Sequence, residues 1–219
     1  QNKLSPYFSI NNPTKETLVT GMISSEKPFK DICSFAEALA SKAPLMHQPS
    51  ERYTYSMGMD VLGCIIERVS GVRFDEFLDT RIFKPLNMQD TFFSVPESKR
   101  DRFTTLYAEV KDLKTFMPDL GESIPEDLTM LRVDGKQNSA YFKEATVFDG
   151  GSGLVSSTED YLKFAQMLLN GGKLGEQRIL SRKSVELMSG NHLPDTFSSD
   201  AYLETCLLYT SPSPRDHQP

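Results

Sequence analysis

The side chain with the clearest potential for chemistry is Tyr55, the second of the closely spaced tyrosines Tyr53 and Tyr55. A phenol hydroxyl both donates and accepts hydrogen bonds, so it can pass a proton between two neighbouring groups. Alone it is a poor base at neutral pH, because its ordinary pKa is about 10, and nearby positive charge would be needed to ease the transfer. The alternative is that Tyr55 only packs, as aromatic side chains at the start of a core helix usually do.

The sequence after Tyr55 predicts a buried helix that would hold this side chain in place. Ser56 is a natural N-cap, Asp60 lies near the positive end of the helix dipole, and Gly71 is placed to end the helix. Tyr55 is therefore expected at the mouth of the helix, held firmly but able to face a cleft. Apolar residues recur at helical spacing along one face, at Val61, Leu62, Ile65, Ile66 and Val69.

Residues 51–71, ERYTYSMGMDVLGCIIERVSG, resemble the second active-site motif of the serine β-lactamase and penicillin-binding-protein superfamily. The most similar branches are the class C β-lactamases and the family VIII carboxylesterases, in which Tyr-x-Asn or Tyr-Ser-x opens this helix. The resemblance implies that Tyr55 is catalytic and that Ser56 and Met57 contact substrate. Met57 stands where the β-lactamases have asparagine, which favours the esterase branch.

Residues 148–172, FDGGSGLVSSTEDYLKFAQMLLNGG, resemble a second segment of the same superfamily. The glycines permit a tight turn or a close approach of another element, and without P-loop or Rossmann spacing they do not favour phosphate binding. Ser157 and Asp160 resemble a capping box at the start of a helix that ends at Gly171. The residues predicted to face inward are Tyr161, Leu162, Ala165, Leu168 and Leu169.

The resemblance implies acyl transfer through a serine ester, which needs three parts in these enzymes. A Ser-x-x-Lys pair supplies the nucleophile, a tyrosine relays the proton, and a strand motif helps form the oxyanion hole. Only the tyrosine part is recognisable in this sequence. Ser24 and Lys27 have the required spacing, but they lie too close to Tyr55 and no apolar helix follows them. The chain as written is therefore predicted to be catalytically inactive.

The expected fold class is α+β, of the β-lactamase/transpeptidase type, with this chain forming mostly the helical domain. Residues 1–205 are expected to be part of such a domain, whose apolar helix faces would be exposed without the central sheet. Residues 206–219 are predicted to be a non-native tail, because CLLYTSPSPRD resembles a translated sequencing adapter.

Weaker patterns place the remaining elements. Residues 107–147 are weakly periodic and are predicted to be an irregular span, which in related enzymes borders the substrate cleft. Further helices are predicted over residues 29–43, over residues 74–83 and from the cap Ser181 to Met188, and a short extended stretch over residues 177–180.

Composition narrows the class of partner. The chain has 219 residues and a net charge of −6, with no basic run, so a nucleic-acid partner is not expected. No apolar run has membrane-spanning length. His47 and His192 are isolated, so no metal or other cofactor is expected. Cys64 falls within the apolar helix and is predicted to be a packed free thiol.

These observations leave three interpretations open. The favoured one is a carboxylesterase that acts on short acyl esters. A β-lactamase or D-Ala-D-Ala carboxypeptidase is the alternative within the same superfamily, so the expected partner is a small ester or a β-lactam. The third is a binding protein that keeps the fold without the nucleophile.

Overall fold

The structure is a computed structural model and consists mainly of helices, with two small antiparallel strand pairs among its described residues. It describes residues 29–42, 48, 57–110, 129–135 and 139–192. Several predicted features lie outside the described residues, namely Ser24, His47, Tyr55, Ser56 and residues 206–219.

The main helices in chain order are α1 (Ile32–Lys42), α2 (Gly58–Ser70), α3 (Phe74–Leu78), α4 (Thr158–Leu169) and α5 (Arg182–Ser189). A π-helical turn (Asp79–Phe83) follows α3, and 3₁₀ turns lie at Glu97–Arg102 and Ala140–Phe142. The strands are β1 (Leu106–Glu109), β2 (Met130–Asp134), β3 (Lys173–Leu174) and β4 (Gln177–Arg178).

Helices α1 and α2 pack around a small apolar core formed by Ile32, Phe35 and Cys64. A Cβ atom on Gly63 would be in ordinary van der Waals contact, 3.4 Å from the Phe74 ring and 3.6 Å from Ile32 Cγ1. The helix therefore turns its small residues toward its neighbours, and a side chain larger than alanine at Gly63 would displace α1 or α3.

Cys33 and Cys64 form a disulfide between α1 and α2, so the prediction that Cys64 is a free thiol is wrong. The Cα atoms of the two residues are 4.7 Å apart. The sequence places one cysteine on each of two amphipathic helices, but it does not reveal that the two faces meet, and that contact decides the pairing.

Much of the predicted apolar stripe of α2 is exposed: Leu62 and Ile65 are about half accessible, and Val69 is 84% accessible. The buried residues of α2 are Asp60, Gly63 and Cys64. The prediction that this stripe is buried is therefore wrong for Leu62, Ile65 and Val69.

The ends of α2 only partly follow the sequence prediction. Its N-cap is Met57, without a side-chain hydrogen bond, so the prediction that Ser56 caps the helix is wrong. The helix begins one residue later than the cap pattern indicates, because the carbonyl of Met57 accepts the first helical bonds, from the amides of Asp60 and Val61. Gly71 ends the helix with a φ of 71°, as predicted, and its N–H donates to the carbonyl of Glu67.

The predicted helix over residues 74–83 is present but changes character halfway, from α3 to the π-helical turn. In the turn that follows, Asn87 has a φ of 53°. Asparagine tolerates this left-handed conformation better than most residues, so the turn can form without glycine.

The prediction of an irregular span over residues 107–147 is wrong where β1 and β2 pair. The two strands are antiparallel, from Leu106 opposite Asp134 to Glu109 opposite Met130, with an irregularity after Leu106. Each strand is too short to show a clear alternation of apolar and polar residues, and the pairing depends on a partner distant in sequence.

Helix α4 begins at the predicted cap, where the Ser157 hydroxyl accepts a hydrogen bond from the Asp160 amide. The predicted inward face is wrong for Tyr161, Leu162 and Leu169, which are exposed, whereas Met167 is fully buried. The buried face of α4 instead contains Asp160, which is 2% accessible, and Met167, two turns further along the helix.

Candidate functional site at the start of α2

The described part of the candidate site begins at Met57, two residues after Tyr55. The Met57 side chain is half-buried and packs against the apolar core of Ile32, Phe35 and Cys64. Because Tyr55 and Ser56 lie outside the described residues, their catalytic and substrate-binding roles remain predictions, as does that of Met57.

A loop of residues 149–153, called here the glycine loop, lies directly on the first turn of α2. The N–H of Gly151 donates to Asp60 Oδ1 at 3.0 Å. A Cβ atom on Gly150 would lie 2.3 Å from the Met59 carbonyl oxygen, which leaves no room for a side chain. The two superfamily-like segments of the sequence are therefore in contact.

The glycine loop is also fixed by contacts on its other sides. Asp149 Oδ1 accepts a hydrogen bond from the Ser152 amide at 2.7 Å, and the Tyr141 hydroxyl donates to the Ser152 carbonyl at 2.7 Å. A Cβ atom on Gly153 would lie 2.7 Å from the Phe93 ring. The loop thus has a defined conformation beside the helix start.

The electrostatics of this region disfavour additional negative charge. Burial raises the pKa of Asp60, the hydrogen bond from Gly151 opposes that shift, and the charge of Asp149 adds to it. Burial also raises the pKa of the Tyr141 phenol, with a further contribution from Asp149.

A cavity of about 890 Å³ lies at the other end of α2. Its lining includes Glu67 and Gly71 from the last turn of α2 and its end, together with Arg73, Asp75 and Phe148. The lining also contains Phe93, the ring against Gly153, so the cavity adjoins the glycine loop although the two ends of α2 are roughly 20 Å apart.

The sequence does not identify two residues of the site. It indicates only a favourable position of Asp60 near the helix dipole, and it indicates no role for Tyr141. The available signal for Asp60 is a carboxylate within an otherwise apolar helix start, which requires a hydrogen-bonding partner when it is buried. Its partner is 91 residues away, so no local pattern reveals it.

Neither a metal site nor a membrane-spanning helix is found in the part of the chain that the structure describes. No group of three or more His, Cys, Asp or Glu side chains there could hold a metal ion. No described helix is long and apolar enough to cross a membrane.

The fold is of the β-lactamase/transpeptidase type. The structure resembles that of the octameric penicillin-binding protein homologue from Pyrococcus abyssi, with a TM-score of 0.52 and 20% identity, over 89% of this chain and 39% of that one. A model of the β-lactamase family matches residues 21–203. The chain therefore belongs to the β-lactamase family, which confirms the fold and superfamily predicted from residues 51–71 and 148–172.

Curated relatives show the same pattern of coverage. An uncharacterised protein of Mycobacterium tuberculosis is 31% identical over 166 residues, which are 76% of this chain and 37% of that protein. A Salmonella heidelberg protein, named as a candidate D-alanyl-D-alanine carboxypeptidase, is 28% identical over 165 residues, 73% of this chain and 36% of its own length. The chain thus spans little more than a third of these relatives.

Proposed function

We propose that this chain supplies the tyrosine motif of a serine hydrolase that transfers acyl groups through a serine ester, and that its activity is that of a carboxylesterase on short acyl esters. In this reaction a serine hydroxyl attacks the ester carbonyl, and the alcohol leaves with the proton that the hydroxyl gave up. Water then cleaves the acyl-serine ester, which releases the acid and restores the serine.

Tyr55 is the group proposed to relay the proton, from the serine hydroxyl to the leaving alkoxide. A phenol can do this only within hydrogen-bond reach of both groups and beside a cation that eases its own loss of a proton. The serine and lysine of that arrangement are not recognised in this sequence, so the chain alone is expected to form no acyl-enzyme.

The observation that carries the choice of an ester is Met57, where the β-lactamases have asparagine. A thioether has no donor and is a weak acceptor, so it cannot make the two-sided contact that an asparagine side chain makes with an amide. The packing of Met57 against the apolar core further supports a role for it in shape rather than in hydrogen bonding.

The test is turnover by the protein expressed from the reading frame extended on both sides in the source DNA. We expect hydrolysis of p-nitrophenyl butyrate to exceed hydrolysis of a chromogenic cephalosporin. Replacement Tyr55→Phe should lower kcat by about 10²- to 10⁴-fold, the usual contribution of a proton-transfer group. Tyr53→Phe is the matched control and should retain most of the activity.

A second activity has its own support. The Salmonella relative named above favours a D-alanyl-D-alanine carboxypeptidase, which release of D-alanine from a D-Ala-D-Ala peptide would reveal. Preferential turnover of that peptide or of the cephalosporin would contradict the esterase proposal. An extended frame without a Ser-x-x-Lys motif and without turnover would favour a binding protein of the same fold.

A further inference from the structure

We propose that Asp60 is a positioning residue, which holds the glycine loop on the first turn of α2 beside the tyrosine motif. Its effect on catalysis rests on the proposed function, whereas its hold on the loop can be measured without any activity. This role requires no contact between Asp60 and the substrate.

The first argument is the geometry of a single long-range hydrogen bond. Asp60 is the third residue of α2, where an acidic side chain commonly folds back to the N-cap amide. Here the N-cap Met57 makes no side-chain cap bond, and Asp60 Oδ1 accepts from Gly151 N at 3.0 Å. The carboxylate therefore connects the helix to the loop.

The second argument is burial. Asp60 is 5% accessible, and a carboxylate removed from water is costly unless donors surround it. The backbone N–H of Gly151 is one such donor, and the loop must stay in place for the bond to persist. Removal of the Asp60 side chain would leave that N–H without this acceptor, so the contact between the loop and the helix would be weakened.

The third argument is the close fit of the loop. The missing side chain at Gly150 lets the loop backbone approach the Met59 carbonyl, and a Cβ atom on Gly151 would lie 3.3 Å from Asp60 Oδ1. The loop thus lies on the first turn of α2, the helix that follows the tyrosine motif in the sequence.

The charged and titratable groups that act on Asp60 are part of the same site. Asp149 of the glycine loop repels the Asp60 charge, and Tyr141 holds the far side of the loop through the Ser152 carbonyl. Burial and Asp149 together raise the pKa of Asp60. The Gly151 amide should therefore report protonation of Asp60 above the ordinary aspartate pKa of about 3.9.

The decisive experiment is a pH titration of the ¹⁵N-labelled 219-residue chain, followed by NMR at the Gly151 amide. In the wild type the chemical shift of the Gly151 amide should show an inflection at a pH above about 3.9. The Gly151 amide hydrogen should exchange slowly with solvent. Asp60→Asn should remove the inflection but keep slow exchange, since its side-chain oxygen still accepts. Asp60→Ala should lose both, whereas the Ser152 amide, bound by Asp149, should remain protected.

Asp149→Asn is the matched control for the charge. It should lower the midpoint seen at Gly151 and leave the inflection in place. An unchanged Gly151 titration in Asp60→Asn would overturn the proposal, as would protection of Gly151 in a folded Asp60→Ala chain. If Asp60→Ala does not fold, the Asp60→Asn titration decides alone.

In the extended protein, Asp60→Ala should lower kcat for p-nitrophenyl butyrate by roughly 10- to 100-fold, because small misplacements of a site cost that much. KM should change little, and Asp60→Asn should restore kcat to within about twofold of wild type. A wild type without ester turnover would refute the proposed function and leave the Gly151 titration as the test of Asp60. Equal kcat in wild type and Asp60→Ala would overturn the positioning role.

Discussion

Helices α2 and α4 each carry a buried aspartate as their third residue, and the two carboxylates have different partners. Asp60 of α2 accepts from the Gly151 amide. Asp160 of α4 accepts from the Asp90 amide at 2.6 Å and the Thr91 hydroxyl at 3.1 Å, and it also pairs with Lys163 at 3.1 Å. The carboxylate at this helix position is therefore paired with a lysine and two hydrogen-bond donors in α4, an arrangement called here the Asp160 cluster (Asp160, Asp90, Thr91 and Lys163). In α2 the carboxylate binds the glycine loop, and its pKa is raised.

The difference follows from what lies opposite each carboxylate. Asp160 faces the start of a strand-like segment, where Phe92 and Val155 exchange two backbone hydrogen bonds of 2.8 Å, and a lysine one turn along its own helix neutralises it. Asp60 faces a glycine loop whose own acidic residue, Asp149, repels it. The Asp160 cluster should therefore contribute more to the free energy of unfolding. The hydrogen bond between Asp60 and Gly151 should contribute more to the geometry of the candidate site.

The largest effect is expected from Asp160→Ala. This change removes the acceptor of two buried or half-buried donors and leaves Lys163 without its buried partner, so the free energy of unfolding should fall by roughly 3–5 kcal/mol. The measurement is urea unfolding followed by circular dichroism. Glu159→Ala is the control, because Glu159 is exposed and pairs with the same lysine, and it should cost about 0.5 kcal/mol or less. An equal loss in the free energy of unfolding in the two variants would contradict a stabilising role of the Asp160 cluster.

The next effect concerns the disulfide that joins α2 to α1. Cys33 and Cys64 close a loop with a sequence separation of 31 residues, so its loss should lower the free energy of unfolding by roughly 3–4 kcal/mol. The double variant Cys33→Ser, Cys64→Ser should unfold at the same urea concentration as the reduced wild type. Thiol titration of the unfolded, unreduced chain should detect one of its three cysteines, Cys206. Detection of all three would refute the disulfide.

A smaller effect is expected from added methyl groups in the glycine loop. Gly150→Ala would force a Cβ atom against the Met59 carbonyl, a backbone atom that cannot move aside, and should cost about 1–3 kcal/mol. Gly151→Ala is the matched change, because its Cβ would meet only the Asp60 side chain, at 3.3 Å, and should cost less. Urea unfolding of both variants measures the order. A larger loss of stability in Gly151→Ala than in Gly150→Ala would contradict this placement of the glycine loop.

The sequence predicts the helices of this chain better than it predicts their faces. The caps at Ser157 and Gly71 and the helix over residues 74–83 depend on neighbouring residues, so local patterns are sufficient to identify them. The exposed and buried sides of α2 and α4 depend on partners elsewhere in the chain. The 84% accessibility of Val69 therefore differs from the interior position that its spacing suggests.

The candidate site shows the same division. Resemblance to the superfamily identifies Tyr55 and the glycine segment, because both are contiguous motifs. The hydrogen bond between Asp60 and Gly151 and the disulfide between Cys33 and Cys64 join residues distant in sequence. Each depends on how two elements are packed, and neither element encodes that packing alone.

The smallest expected effects are the changes of stability with pH that Asp60 and Asp90 cause, and these two changes have opposite signs. Hydrogen bonds from Arg102 and Lys99 lower the pKa of Asp90 to about 2. Its contribution to stability is therefore present above the unfolded pKa of about 3.9 and is lost as the pH falls through about 2. The pKa of Asp60 is raised, so its contribution is present below about 3.9 and is lost as the pH rises through the folded value.

Urea midpoints measured from pH 2 to pH 8 should therefore respond in opposite directions to two isosteric changes. Asp90→Asn should be less stable than wild type at neutral pH, and the difference should vanish near pH of about 2. Asp60→Asn should gain on the wild type as the pH rises, because the amide keeps an acceptor for Gly151 without a buried charge. Glu176→Gln, at an exposed position, should stay within about 0.5 kcal/mol throughout. A loss of stability at pH 7 in both aspartate variants would show that Asp60, like Asp90, stabilises the fold as a carboxylate, and would contradict the opposite pH dependence of the two residues.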